Sequence, residues 1–332
     1  MTDRQATQGT AAGRATDEFA FVLGFVRSGT TMLRAMLDSH SVLAVPPESY
    51  FVVALLQSRA RLETTTGLDW PTIIERIESD RYFQDWNLEP DALQALRTDD
   101  HIRTTADAVA GLYSAYANVH GKARYGDKTP SHLGSVALLA ESFPRSRFVH
   151  IVRDGRDVVP SVVKMPFGPD GFADAALSWE RRIREGRQAG LTLGPDRYLE
   201  IHYESLVADP EGVLADVCRH FDLGYEPTML DYHSRSDELL TGLRHTDHIQ
   251  GIRKPPTAGL RDWRLDLSPY DVALFEVIAG DLLDELGYER SGYKPSNRAR
   301  AEAAARRTAS AVQRKTSIYT TRVLRKLRSR ST

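Results

Sequence analysis

The stretch that decides the fold is EFAFVLGFVRSGTTMLRAMLDSH, residues 18–40. An apolar run ends at Gly24 and predicts a buried strand, and apolar residues at helical spacing follow the loop. The loop GFVRSGTT (24–31) keeps the glycine spacing and final hydroxyl of the G-x-x-x-x-G-K-[ST] loop of nucleoside triphosphate sites. Thr30 stands where that loop has its lysine, and Arg27 is the only cation. The pattern predicts an anion site built from backbone N–H groups and a helix N-terminus, the alternative being a glycine-rich turn without a ligand.

The composition is that of a soluble globular protein. The chain has 332 residues, of which 41% are hydrophobic and 27% charged. Its single cysteine, Cys218, excludes an internal disulfide and a cysteine-built zinc site, and its place in a helical pattern predicts a packed core thiol. The chain shows no secretory signal and no run of ~20 apolar residues, so we expect a cytoplasmic location. The net charge of −2 combines an acidic body with a basic tail, because residues 298–332 hold eleven Lys and Arg and one acid, Glu302.

Strands and helices alternate along the body. Predicted strands are SVLAV (41–45), RFVHIV (147–152) and RYLEIHY (197–203), and predicted helices include 172–188 and 268–288. This alternation predicts an α/β fold with a doubly wound, mostly parallel sheet flanked by helices. Ligands in such sheets bind outside the carboxyl ends of the strands, where the richest motifs of this chain fall.

The chain divides into three predicted parts. Residues 1–17 lack periodicity and are predicted to be disordered, residues 18–297 form one domain, and residues 298–332 form a basic tail, either an amphipathic helix or disordered. Within the domain, residues 70–120 are predicted to be polar helices and loops inserted on the substrate side.

A second anion motif, RDGRDVVPS, follows the strand at 147–152. A magnesium-nucleotide site would place an aspartate at the end of such a strand, whereas this chain places Arg153 there, with Ser161 eight residues on. We predict that both hold a phosphate, and that Asp154 and Asp157 form surface ion pairs and a helix cap. Two anion sites without a metal carboxylate indicate a ligand phosphorylated at two places, which a nucleoside triphosphate is not.

These motifs resemble the sulfotransferases that use 3′-phosphoadenosine 5′-phosphosulfate (PAPS), closest to the tyrosylprotein-type branch and its bacterial relatives. The resemblance covers roughly residues 19–290 and implies a P-loop-like α/β fold, PAPS as sulfuryl donor and no metal. By motif match, the 5′-phosphosulfate site would consist of Arg27, Ser28, Gly29, Thr30 and Thr31, and the 3′-phosphate would be held by Arg153 and Ser161. The matching segments are GFVRSGTTMLRAMLDSH (24–40), GDKTP (126–130), RFVHIVRDGRDVVPS (147–161) and IHYESLVADPEG (201–212).

Three residues carry the chemistry that the resemblance implies. Glu48, in VLAVPPESY, matches the catalytic glutamate, and a carboxylate there can take the proton of an acceptor hydroxyl; the alternative is a glutamate at a helix start. Lys128 matches a lysine near the bridging oxygen, where it and Arg27 would stabilise leaving charge; the alternative for Lys128 is a solvated lysine. Pro47 replaces a second acid of the tyrosylprotein pattern and Tyr50 an arginine, which leaves the acceptor open.

The later motifs add nucleotide contacts. Tyr203 matches a nucleotide-contacting tyrosine, with a buried core tyrosine as the alternative. GIRKPPTAGLRDW (251–263) resembles the late cofactor loop of the family, which would bring Lys254, and with it Arg253, near the phosphates. Trp263 is predicted to pack rather than to take part in chemistry.

The acceptor is not determined by these residues and could be a sugar, a lipid, a phenolic small molecule or a peptide tyrosine. His132 and His248 either line its pocket or are solvated. The basic tail is compatible with peripheral contact to an anionic membrane, with a solvated segment, or with docking on its own chain or on a second subunit of a homodimer. Nucleic acid is not an expected partner, because the body is acidic.

Two rival functions remain open at this point. A P-loop small-molecule kinase would need magnesium and ATP, and Thr30 in place of the lysine argues against it. A non-catalytic adenine-nucleotide-binding module would bind the donor without turnover.

Overall fold

The computed structural model of the chain describes most of its residues, in the ranges given at the end of this paragraph. For Gln250 and for residues 313–328 it describes only the backbone. The segment 1–17, which was predicted to be disordered, and His248 lie outside the described residues. No helix in the described part is both long and apolar enough to span a bilayer. The described residues are 18–89, 91–166, 168–237, 250–257, 259 and 261–328.

The secondary structure follows the predicted alternation of strands and helices. The strands are β1 (Ala20–Gly24), β2 (Leu43–Ala44), β3 (Glu63–Thr64), β4 (Gly67–Leu68), β5 (Arg124–Lys128), β6 (Arg147–Val152) and β7 (Tyr198–His202). The α-helices are α1 (Thr30–Asp38), α2 (Tyr50–Gln57), α3 (Arg59–Leu62), α4 (Trp70–Glu78), α5 (Ala92–Arg97), α6 (Thr105–Val119), α7 (Val136–Ser142), α8 (Gly155–Val163), α9 (Phe172–Leu193), α10 (Tyr203–Ala208), α11 (Pro210–His220), α12 (Trp263–Asp266), α13 (Pro269–Glu285) and α14 (Asn297–Arg328). Short 3₁₀ helices span Phe83–Trp86, Pro130–Ser135, Pro227–His233 and Gln250–Arg253.

The central sheet has five parallel strands in the order β2-β5-β1-β6-β7, which confirms the predicted doubly wound fold. β1 lies in the middle and pairs with β5 and β6, so that Gly24 at its end stands opposite Ile151 near the end of β6. The loops that follow β1 and β6 therefore emerge side by side at the carboxyl edge. β2 is shorter than predicted, with Leu43–Ala44 in place of 41–45.

Both faces of the sheet are buried, as an apolar parallel strand requires. Side chains alternate along β1: Phe21 and Leu23 join one apolar cluster and Ala20 and Val22 join the other. Cys218 is fully buried in the second cluster, and burial, followed by the charge of Glu226, raises the pKa of its thiol to about 11. The predicted core thiol is confirmed.

Residues 70–120 differ from the prediction of a polar insertion. They form helices α4 to α6, but Ile73, Trp86 and Tyr113 are buried in the larger core cluster. The helices are amphipathic, and their apolar faces complete the core on one side of the sheet.

The basic tail begins as part of the folded body. Its first turns bury Ala299 and Ala303, and Glu302 accepts a hydrogen bond from Tyr270. Arg306 and Arg307 form ion pairs with α9, through Asp174 at 3.1 Å and Glu180 at 3.3 Å. The backbone of α14 continues as helix to Arg328.

Candidate active site

The loop between β1 and α1 has the backbone of an anion cradle. Arg27 and Gly29 adopt φ angles of 70° and 93°, in the left-handed region, and α1 begins at Thr30 with no described side chain capping it. A Cβ on Gly29 would overlap the ring of Tyr203, so the position requires glycine. An arginine at positive φ is a strained conformation of the kind that concentrates at functional sites. The uncapped first turn of α1 leaves its N–H groups available to a ligand.

Two buried polar atoms at this edge fit a bound phosphate. Ser28 is fully buried and Arg153 nearly so, and neither Ser28 Oγ nor Arg153 Nε has a hydrogen-bond partner among the described residues. Buried polar groups are satisfied in the large majority of cases. Oxygens of a phosphate or sulfuryl group would satisfy both atoms.

The two predicted anion sites meet at the same edge of the sheet. Arg27 Nε donates a hydrogen bond of 3.0 Å to Ser161 Oγ, and the Arg153 guanidinium lies 4.1 Å above the ring of Tyr203. Tyr203, at the start of α10, also contacts Gly29 of the first loop. The residues after β1, β6 and β7 thus form one continuous surface.

Three arginines converge on this surface. Burial first, and then the charge of Arg153, lowers the pKa of Arg27. Burial also lowers the pKa of Arg261, followed by the charges of Arg27 and Arg153, with Asp157 and Asp266 acting in the opposite direction. Like charges held together in a partly buried place are typical of a site that receives an anion.

Arg261 was missed in the sequence, which pointed to Lys254 and Arg253 for the late loop. In the structure Arg253 pairs with Asp237, and the carbonyl of Lys254 accepts a hydrogen bond from Tyr232 at 2.8 Å. The signal that could have found Arg261 is its position two residues before Trp263, once that tryptophan is recognised as packed. The role of Lys254 stays a prediction.

Trp263 packs and Asp154 caps a helix, as predicted, but the ion pair of Asp154 with Arg156 is buried and does not lie on the surface. Asp154 caps α8 and chelates Arg156, at 2.7 Å to its Nη2, and Arg156 in turn lies 3.9 Å above the ring of Trp263. Asp157 accepts the backbone N–H of Trp263 at 2.7 Å and lies 4.0 Å from Arg153. These contacts tie the late loop to α8. Among the described residues, no group of three or more His, Cys, Asp or Glu could hold a metal ion.

Glu48 and Lys128 form a direct ion pair. Lys128 Nζ donates to Glu48 Oε1 at 2.7 Å, and the side-chain exposures of lysine and glutamate are 4% and 14%. Lys128 is the last residue of β5. Because its side chain is buried, it is not the solvated lysine of the alternative prediction. Arg34 of α1 fixes the loop that carries Glu48, because it donates to the carbonyls of Val45 and Pro46 at 2.8 and 3.0 Å.

A cavity of about 490 Å³ opens next to this pair, between α2 and the end of α4. Tyr50 lines it and donates from its hydroxyl to Glu48 Oε2 at 2.9 Å. The ring of Tyr50 stacks on Tyr82 with a centroid distance of 5.6 Å, and Arg76 and Arg81 also line the cavity. Burial, and then the charge of Glu48, raises the pKa of Tyr50, which keeps the phenol protonated.

Fold and site together define an α/β protein whose lysine-free glycine loop and clustered arginines fit a phosphorylated ligand. Comparison with known protein families identifies the family to which the chain belongs. The profile of the Sulfotransferase family matches residues 20–227, more than half of the chain, and the chain belongs to this family. It is a PAPS-dependent sulfotransferase, as the sequence predicted. The match ends before Arg261 and Trp263.

Curated relatives agree with this assignment at modest identity. The chain is 26% identical to protein-tyrosine sulfotransferase 1 of Danio rerio, over 83% of this chain and 74% of the relative. It is 28% identical to protein-tyrosine sulfotransferase 2 of Gallus gallus, over 83% and 71%. A third relative is the omega-hydroxy-beta-dihydromenaquinone-9 sulfotransferase Stf3 of Mycobacterium tuberculosis, 28% identical over 51% of this chain and 42% of the relative.

A solved structure supports the fold. The sulfotransferase domain of the Synechococcus PCC 7002 olefin synthase superimposes with a TM-score of 0.60 and 26% identity, over 82% of this chain and 95% of that one. The sulfotransferase domain from the curacin biosynthetic pathway, at 21% identity and a TM-score of 0.51, shares the fold.

Proposed function

We propose that the donor lies across the ends of β1 and β6, with its 5′-phosphosulfate on residues 27–31 and its 3′-phosphate on Arg153 and Ser161. The observation that carries the proposal is the convergence of Arg27, Arg153 and Arg261, three guanidinium groups that a bound phosphate would neutralise. Arg261 joins the donor site in this proposal, and Tyr203, beneath Arg153, would contact the nucleotide.

The Glu48–Lys128 pair supplies the proposed chemistry. When bound, PAPS provides a sulfuryl group attached to a phosphate that can leave. Glu48 accepts the proton of the acceptor hydroxyl through Oε2, the oxygen that now accepts from Tyr50. Lys128, with Arg27, compensates negative charge at the leaving phosphate, which is worth ~10²–10³ in rate for a well-placed group. No proposed step requires a metal.

We propose a phenolic hydroxyl, on a peptide or a small molecule, as the acceptor class. The named relatives include protein-tyrosine sulfotransferases, and the Glu48 carboxylate already accommodates a phenol at 2.9 Å, that of Tyr50. The cavity beside it is of the size that holds a small organic ligand, ~300–1,000 Å³. Sugar and lipid hydroxyls are outcomes that the experiment below distinguishes.

The test is transfer of label from PAPS carrying ³⁵S in its sulfuryl group, in the presence of EDTA. The acceptors are 4-nitrophenol, a tyrosine peptide, a sugar mixture and a lipid extract, each chromatographed after reaction. We expect label on a phenol, with release of 3′,5′-adenosine bisphosphate (PAP), and loss of transfer in Glu48→Gln. Arg153→Ala should raise the Kd for PAP by about tenfold or more, because a charge-assisted contact contributes ~1.5–3 kcal/mol.

Two results would contradict the proposal in different ways. Turnover of ATP with magnesium and none of PAPS would favour the kinase. Tight PAP binding without transfer to any hydroxyl, unchanged in Glu48→Gln, would favour the non-catalytic module.

The cytoplasmic location and the membrane or dimer contact of the tail stay predictions. Arg306 and Arg307 already pair with the body, so we propose that any contact with anionic lipid is made by residues 313–332. Flotation with phosphatidylserine vesicles, comparing the full chain with a chain ending at residue 312, tests this, and equal binding of both would refute it.

A further inference from the structure

A buried hydrogen-bond network lies directly behind the Glu48–Lys128 pair. Asp127, the residue before Lys128, is 1% exposed, and Ser49, the residue after Glu48, is fully buried. Ser49 Oγ donates to Asp127 Oδ2 at 2.6 Å across 78 positions of sequence. The neighbours of the two proposed catalytic residues are therefore bonded to each other.

Three further side chains complete the network around Asp127. The hydroxyl of Tyr113 lies 2.6 Å from both Asp127 Oδ2 and Ser49 Oγ, and Thr129 Oγ1 donates to Oδ2 at 3.1 Å and accepts the Ser49 N–H at 2.9 Å. His132 Nδ1 lies 2.9 Å from Oδ1. Because an ionised carboxylate only accepts hydrogen bonds, Nδ1 carries the proton. His132 is thus buried in this network and not solvated.

The carboxylate of Asp127 is kept ionised although it is buried. Burial alone would raise its pKa, but the charge of His132 and the hydrogen bonds from His132, Ser49 and Tyr113 hold it below the usual range. A charged acceptor makes stronger hydrogen bonds than a neutral one, so the ionised carboxylate strengthens the contacts of this network.

The network connects the end of β5, which carries Lys128, with the loop that carries Glu48. Successive residues of a strand point to opposite faces, so Asp127 anchors the end of β5 from the face opposite to Lys128. Ser49 is the N-cap residue directly before α2, and its bonds to Asp127 and Thr129 fix the loop that carries Glu48. Tyr113, on α6 in the main core, braces both.

We propose that Ser49, Asp127 and Tyr113 are positioning residues that hold Glu48 within hydrogen-bond distance of Lys128 for the transfer reaction. This inference rests on the proposed roles of Glu48 and Lys128. A network that only stabilised the fold would be the alternative, and the two differ in what a deleted hydroxyl does to turnover.

The experiment deletes one hydroxyl at a time with Ser49→Ala and Tyr113→Phe. The matched control is Ser146→Ala: Ser146 is equally buried, accepts from Arg197 at 3.0 Å and lies at the opposite edge of the sheet. We expect kcat for PAPS-dependent sulfation to fall ~10- to 10²-fold in Ser49→Ala, with the Kd for PAP within about twofold of wild type, because misplacement of a reacting group by ~1 Å has that effect. The kcat of Tyr113→Phe should fall less than that of Ser49→Ala, and the kcat of Ser146→Ala should equal that of wild type.

A double-mutant cycle separates positioning from general stabilisation. In a Glu48→Gln background, Ser49→Ala should cause no further loss, because it acts through Glu48. A crystal structure of Ser49→Ala should show Glu48 and Lys128 beyond hydrogen-bond distance. The positioning role would be overturned if the kcat losses of Glu48→Gln and Ser49→Ala multiplied in the double variant. It would also be overturned if Glu48 and Lys128 stayed 2.7 Å apart in Ser49→Ala.

Two outcomes distinguish this inference from the proposed function. Wild-type kcat in Glu48→Gln would overturn the role of Glu48 itself. An inactive Glu48→Gln together with fully active Ser49→Ala and Tyr113→Phe would overturn the positioning role alone.

Discussion

Arg261 offers the sharpest test of the donor site, because the sequence assigned it no role although it lies within the late loop GIRKPPTAGLRDW (251–263). The change is Arg261→Gln, which removes the charge and keeps much of the side chain. Its matched control is Arg264→Gln, three residues on in the same segment, where the arginine is 58% exposed and pairs with Asp262 at 3.5 Å. If the three arginines form the phosphate site, only the first change should affect PAP binding.

The magnitude follows from the contact that is lost. A charge-assisted hydrogen bond contributes ~1.5–3 kcal/mol, which corresponds to a rise in Kd of ~10- to 150-fold. Burial and the charges of Arg27 and Arg153 lower the pKa of Arg261, so its charged form destabilises the free protein. This repulsion is present with and without PAP, so its relief in the variant changes the stability of the protein rather than the Kd.

The same relief gives a second, independent readout. Calorimetric titration with PAP measures the Kd, and thermal unfolding without PAP should show a higher Tm for Arg261→Gln than for wild type. Added PAP should then raise the Tm of wild type more than that of the variant. An unchanged Kd together with a lower Tm of the free variant would refute the argument, because Arg261 would then be a stabilising surface residue.

Three further predictions concern the loop, the lysine and a buried aspartate. Gly29→Ala should abolish PAP binding and reduce stability by ~1–3 kcal/mol, measured by urea unfolding, because φ is 93° and a Cβ meets the ring of Tyr203. Lys128→Met should lower kcat ~10²- to 10³-fold at nearly unchanged PAP affinity; equal loss of both would contradict its role. Burial, above all, raises the pKa of Asp157 from 3.8 to about 6, so the folded protein retains a proton that the unfolded chain has released, and wild-type stability falls as pH rises through this window. Asp157→Asn keeps an acceptor for the Trp263 N–H and has no proton to lose. Between about pH 4 and 7, the free energy of unfolding of the variant, measured in urea, should therefore rise relative to that of wild type by about 1 kcal/mol after allowance for solvent screening. A difference in unfolding free energy that does not change with pH would count against the raised pKa.

The sequence correctly predicted that the loops after β1 and β6 meet at one edge of the sheet, because the signals for both are local. The apolar run of β1, the glycine loop and the start of α1 are contiguous, and Arg153 directly follows the buried strand β6. In a parallel sheet both loops must leave at the same edge, so a pattern read along the chain sufficed to place them together. The Arg27–Ser161 hydrogen bond confirms that placement.

The helices of residues 70–120 show where pattern reading was insufficient. Their polar residues suggested an insertion, yet Trp86 and Tyr113 are buried in the main core. Composition over a window averages the two faces of an amphipathic helix, and only packing shows which face is covered.

Sequence alone determined the family, the parallel sheet, the lysine-free anion loop and the candidate residues Glu48 and Lys128, because each depends on the order and spacing of neighbouring residues. Tertiary structure decided that Arg261 joins Arg27 and Arg153, and that Ser49 and Asp127 bind each other behind the Glu48–Lys128 pair. These contacts join segments from 78 to more than 200 positions apart. Their partners are chosen by strand order and side-chain packing, which no local pattern encodes.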